Sequence, residues 1–151
     1  MHASRGLTLV ELLVVLTILG IVSVIVALDL RPLYDPLQDA LSRTEGFLKQ
    51  VRIKAMATTS AYKVSLSGNR LEAAYANTCS SASFTTDRYL SLELPAEVSL
   101  SVSPSGTVLC FNSRGMLTLP SRSGEPSLAL RDKRGRTKAL TVLLGGGVMR
   151  Q

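Results

Sequence analysis

One carboxylate stands where an acid is expensive. Positions 7–28 read LTLVELLVVLTILGIVSVIVAL and hold a single charge, Glu11. An acid inside such a run costs a few kcal/mol on membrane-insertion scales, so Glu11 calls for a partner. The leader offers one, because a cut between Gly6 and Leu7 creates an α-amino group four residues from Glu11, and a neighbouring subunit can present that amine to this carboxylate. A second set of residues is basic. Arg131, Lys133, Arg134, Arg136 and Lys138 place five cations within eight residues around Gly135, and Arg150 follows near the end. The cluster suits phosphate oxygens, whose binding is driven by counterion release. It equally suits a solvated turn, or contact with anionic lipid or a neighbouring subunit. Cys79 and Cys110 complete the reactive inventory, either as a disulfide or as two buried thiols.

Several chemistries are missing. The sole histidine, His2, lies in the leader, so a chain cut after Gly6 has no imidazole to activate a serine. Two cysteines without further ligands make no zinc site, and Gly145-Gly146-Gly147 lacks the Lys-Ser/Thr that completes a phosphate-binding loop. No enzyme, metal or cofactor is expected.

The elements that must carry these groups follow from periodicity. Residues 7–28 as a helix are roughly 33 Å long at about 1.5 Å per residue, enough to cross a bilayer. A cleaved secretory signal has a shorter apolar core and a small-x-small site after it, which Ala27-Leu28-Asp29 does not provide. Pro32 and Pro36 then bend or break the rod, and Asp35-Pro36 reads as an N-cap with proline in the first helical position. From Leu37 the apolar stripe runs through Leu41, Thr44, Leu48, Val51 and Ala55 in steps of four and three, the mark of a helix packed on its own sheet. Thr58, Thr59 and Ser60 end it.

Beyond residue 60 the period becomes two. Tyr62, Val64 and Leu66, the turn Ser67-Gly68-Asn69, then Leu71, Ala73 and Tyr75 predict a hairpin. A Ser/Thr-rich loop is expected over 77–87, and further strands over 89–94, 98–102, 107–111, 116–119, 127–130 and 136–144, separated by turns such as Asp132-Lys133-Arg134-Gly135. The three glycines 145–147 read as a strained turn or a frayed tail. The expected organisation is a leader (1–6), an apolar membrane and filament-core helix (7–28), an amphipathic second helical half (29–58) and an antiparallel β domain (59–151), an α+β chain with one domain after its anchor.

Gly6-Leu7-Thr8-Leu9-Val10-Glu11, followed by an unbroken apolar helix, resembles the class III signal of type IV pilins and type II secretion pseudopilins. The resemblance covers about the first 30 residues. It implies that a prepilin peptidase cuts after Gly6 and methylates Leu7, and that Glu11 pairs with a neighbour's amine as subunits assemble. It also implies a cytoplasmic leader, a single span in the inner membrane and an exported remainder. In that oxidising compartment Cys79 and Cys110 can pair, closing a loop worth about 3–4 kcal/mol by chain entropy.

One helix followed by many strands is similar to the FimT and pseudopilin H branch of the family, as is the glycine-then-basic ending Gly145 to Gln151. Gly135-Arg136-Thr137-Lys138 resembles the Gly-Arg-x-Arg motif with which FimT-like minor pilins bind DNA, with lysine in the last place. The function implied is a minor pilin-like filament subunit for DNA uptake, with double-stranded DNA as partner. The alternative is an H-type pseudopilin of a type II secretion system, in contact with secreted proteins. Charge agrees with an anionic partner: 17 basic and 11 acidic residues give +6, and residues 112–151 alone hold eight basic and two acidic side chains.

Overall fold

The computed structural model describes residues 8–29, 35–119 and 124–151, in two units divided after Asp35. Gly6, Leu7 and the expected break around Pro32 lie outside the described residues.

The first unit contains helix α1 (Leu9–Asp29). Its side chains are described from Leu9 to Val24, and all of them are exposed. That stretch is about 24 Å of helix against a hydrocarbon core of about 30 Å. Among the described residues no helix is long and apolar enough to cross a membrane. The expected span of 7–28 extends past this stretch at both ends.

The second unit begins with α2 (Pro36–Ala57), directly after Asp35 as the proline rule predicts. All six stripe positions are buried, and Ala40 and Phe47 widen the stripe. Thr44 is a tolerable member, because its hydroxyl donates to the Ala40 carbonyl (2.8 Å) and leaves no orphan donor in the core. Thr59 closes the helix with a φ of 52°.

Two antiparallel sheets receive that stripe. The five-stranded sheet runs β3-β2-β1-β5-β6, with β1 Ala61–Ser67, β2 Arg70–Ala76, β3 Thr85–Glu93, β5 Leu109–Phe111 and β6 Leu117–Thr118. The four-stranded sheet runs β4-β7-β8-β9, with β4 Val98–Ser103, β7 Ser127–Asp132, β8 Thr137–Val142 and β9 Val148–Arg150. One core joins them: Leu37, Leu48 and Val51 from α2, Val64, Leu71 and Phe111 from the first sheet, and Leu128, Leu130 and Leu140 from the second. Each such side chain contributes about 1.5–3 kcal/mol of burial. The sheets are tied to each other where the Leu117 amide donates to the Leu144 carbonyl (2.9 Å).

The hairpin expected after residue 60 is present, its turn carried by Gly68 at φ 59°. Three features of the strands depart from simple alternation or from the expected boundaries, for identifiable reasons. β3 starts at Thr85, inside the expected loop, and a bulge between Glu72 and Ala74 changes its facing, so that Asp87 and Leu90 are buried three apart and not two. β5 is buried at all three positions, because α2 covers one face and loop 77–84 the other. The three glycines make a turn and not a frayed tail: β9 follows them, and the Gln151 amide donates to the Ala139 carbonyl (2.9 Å). Gly146, at φ 80°, could hold no side chain, since a Cβ there would lie 1.9 Å from the Gly115 carbonyl oxygen.

Candidate functional site

At the start of α1 the backbone has donors to satisfy, and the side chains of Thr8 and Glu11 satisfy one each. Thr8 precedes the helix; its amide (3.3 Å) and hydroxyl (3.2 Å) donate to Glu11 Oε2, while the Glu11 amide donates to Thr8 Oγ1 (3.3 Å). This reciprocal pair is a capping box, and its sequence signature is Thr-x-x-Glu. Read as part of an apolar span, Thr8 hid that signature. Glu11 thus has a task within its own chain as well as any it has toward a neighbour.

The basic residues divide into two groups. The β7–β8 hairpin does place Arg131 to Lys138 around a tight turn, with the Gly135 amide donating to the Asp132 carbonyl (3.0 Å) and Gly135 at φ 83°. Asp132 organises that turn. Its carboxylate accepts from the Arg136 amide (2.9 Å) and from Arg136 Nε (2.7 Å). Burial pushes the Asp132 carboxyl up, but the Arg136 guanidinium and the amides of Arg136 and Arg134 outweigh it and hold the group below the usual carboxylate range. The charge of Arg136 is therefore matched locally. Lys138 shares a face with Leu130, its pairing partner on β7, and its Nζ donates to Gln38 Oε1 on α2. Arg150 also reaches α2, donating to Glu45 Oε2 (2.6 Å) and Ser42 Oγ (3.4 Å). Lys49 donates to the same carboxylate (2.6 Å), and the two cations hold the Glu45 carboxyl below its ordinary range.

What remains at the tip is Arg131, Lys133 and Arg134, all exposed and without an ion-pair partner among the described residues. The difference follows from strand alternation. Residues two apart along β7 or β8 share a face, so a run of cations near a hairpin cannot all point outward. The sequence contained the needed signal in Leu130 and Leu140, which mark the inward face.

Cys79 and Cys110 form a disulfide with Cα atoms 5.9 Å apart. It fastens loop 77–84 over the outer face of the first sheet, beside Lys63, the pairing partner of Cys110 on β1. Among the described residues no cluster of His, Cys, Asp and Glu could hold a metal ion.

Residues 1–27 match the family model of the prokaryotic N-terminal methylation motif. The fold is similar to that of the type IV minor pilin FimU of Pseudomonas aeruginosa, at 17% identity and a TM-score of 0.59 over 76% of this chain and 87% of that one. It is also similar to the minor pseudopilin EpsH from the type 2 secretion system of Vibrio cholerae, at 12% identity and a TM-score of 0.58 over 78% and 97%. No curated protein sequence matches the chain. The N-terminal motif is thus that of the methylation family model, and the fold is one shared by a type IV minor pilin and a minor pseudopilin alike.

Proposed function

We propose that this chain is a minor subunit of a membrane-anchored filament, processed by a prepilin peptidase between Gly6 and Leu7 and working in DNA uptake. The observation that carries the filament reading is the methylation motif continuing into a helix whose described side chains, apolar but for a few, are all exposed. In this reading the leader faces the cytoplasm, α1 anchors the subunit in the inner membrane until other pilin-like subunits take up its apolar surface, and residues 36–151 face the oxidising side. The disulfide supports that orientation. The role is structural and binding, with no catalytic step.

DNA contact falls to Arg131, Lys133 and Arg134, and a weak grip by three cations gains from repetition along a filament. Full-length protein in neutral detergent should bind random duplexes with a log–log salt slope of about −3, matching three released counterions. Changing Arg131, Lys133 and Arg134 to Gln should abolish binding, whereas Lys138→Gln with Arg150→Gln should leave it nearly intact. A second reading rests on the likeness to EpsH, namely a pseudopilin that contacts secreted proteins. It takes precedence if the parent protein binds no DNA at low salt.

A further inference from the structure

Loop 77–84 does more than cross the first sheet: it roofs a cleft of about 550 Å³, within the range of about 300–1,000 Å³ typical of small-molecule sites. The floor is the outward face of β1, β5 and β6, where Ala61 and Cys110 are almost wholly buried beneath the loop. The roof is braced in two ways. The disulfide anchors one end, and the loop braces itself through the Thr78 amide on Ser81 Oγ (3.2 Å) and the Ser81 amide on the Thr78 carbonyl (3.2 Å). Ala61, Val108, Phe84 and the disulfide give the cavity an apolar body, and Asn77, Ser80, Ser113 and Thr118 add amide and hydroxyl groups to its lining.

One charged side chain lines this cleft. Lys63 Nζ lies 5.4 Å from the centroid of the Phe84 ring and has no ion-pair partner among the described residues. A cation over an aromatic face gains about 0.5–1 kcal/mol at an exposed site, whereas a hydrogen bond to a charged group gains about 1.5–3. Lys63 is therefore held in the cleft by a contact that an arriving anion can outcompete. A single cation among hydroxyls and apolar walls does not fit a polyanion. It fits one negative head group on an apolar or ring-bearing body.

We propose that this cleft binds a small organic anion, with Lys63 taking its carboxylate or phosphate and Phe84, Val108 and the disulfide packing against its body. The site is separate from the hairpin tip and from the N-terminal motif, so its test is independent of the filament and DNA readings.

The test uses the full-length, isotopically labelled chain in zwitterionic detergent and three probes with the same body: 4-phenylbutyrate, 4-phenylbutyl phosphate and 4-phenyl-1-butanol. Backbone amide shifts at Lys63, Ser81, Phe84 and Cys110 should saturate with at least one anion, and that anion should bind about tenfold more tightly than the alcohol. The tighter of the two acids identifies the head group. Lys63→Met should erase the preference while leaving the alcohol bound, and Phe84→Ala should weaken every probe that binds. Unchanged amide positions in β4, β7, β8 and β9 establish that each variant is folded, and Lys63→Gln replaces Lys63→Met if that control fails. The proposal is overturned if no probe produces saturable shifts in the cleft, if the alcohol binds as tightly as the acids, or if the preference survives loss of the Lys63 charge.

Discussion

α1 and α2 are nearly equal in length, 21 and 22 residues, yet they are stabilised by opposite means. α2 presents one apolar stripe to two sheets and keeps Lys49, Arg43 and Gln50 outside, so its stability is supplied within the chain. α1 has leucine, valine and isoleucine around its whole circumference, and every described side chain is exposed. A helix apolar on all sides needs an apolar surround on all sides. The comparison teaches that α2 finds its apolar surround within its own unit, whereas α1 calls for one that its own unit does not supply.

The largest expected effect separates the helices directly. Leu48→Ala removes a side chain with no exposure from the middle of the α2 stripe and should destabilise the globular unit by about 2–5 kcal/mol. Leu13→Ala makes the same chemical change in α1, where Leu13 is 57% exposed, and should leave that unit's unfolding midpoint unchanged. Both are read from denaturant melts of the full chain in detergent, monitored by near-ultraviolet circular dichroism. A Leu13→Ala midpoint shifted as far as that of Leu48→Ala would break the contrast.

The same contrast explains what could be read from the sequence. Period and caps carried α2 and the β1–β2 hairpin, because Leu37 to Ala55 and Tyr62 to Tyr75 declare their faces locally. Period failed at β3, where the Glu72/Ala74 bulge changes the side facing the core; at β5 it placed the strand but could not show that a loop distant in sequence covers the second face. β9 was hidden by three glycines that look like an ending. At the candidate site the tip was legible as a charge run, but its division was not. Gln38 and Glu45 lie about a hundred residues from Lys138 and Arg150, and only the fold brings them together. The Lys63 cleft has no linear signature at all, since its residues come from separate strands and a loop.

A smaller effect concerns how α2 is fastened at its C-terminal end. Lys54 Nζ meets Asp87 Oδ2 at 2.5 Å, and Tyr62 and the Tyr89 amide complete the carboxylate's contacts. Asp87→Asn should cost about 1–3 kcal/mol, toward the low end because Lys54 is about a third exposed. Burial pushes the Asp87 carboxyl up, but Lys54 and the other donors hold it below its usual range, so its contribution is present above about pH 4 and is lost as pH falls through the lowered value. Hydrogen bonding to Asp87 raises Lys54, whose contribution is complete below about pH 10 and is lost only above its raised value. Stability against pH should therefore show a shallower acid limb in Asp87→Asn than in the parent and parallel curves between about pH 5 and 9. An unchanged acid limb would remove Asp87 from the account of acid sensitivity.

The smallest expected effect on stability tests the most consequential residue of α1. Glu11 closes a capping box with Thr8, and glutamine serves in such a box as well as glutamate does. Glu11→Gln should therefore keep the first turn intact, while Glu11→Ala should lose about 0.3–1.5 kcal/mol of local helix stability, visible as faster hydrogen exchange of the first amides of α1 in micelles. Neither substitution should impede the proposed cleavage after Gly6, which is checked by whether the mass is that of a methylated chain beginning at Leu7. Assembly discriminates between the two tasks. If Glu11 meets the amine of a neighbouring subunit, both variants should fail to enter filaments, because both lack the charge. If the box alone matters, Glu11→Gln should enter as the parent does, and the costly acid in this apolar run would be there to start the helix and not to join two chains.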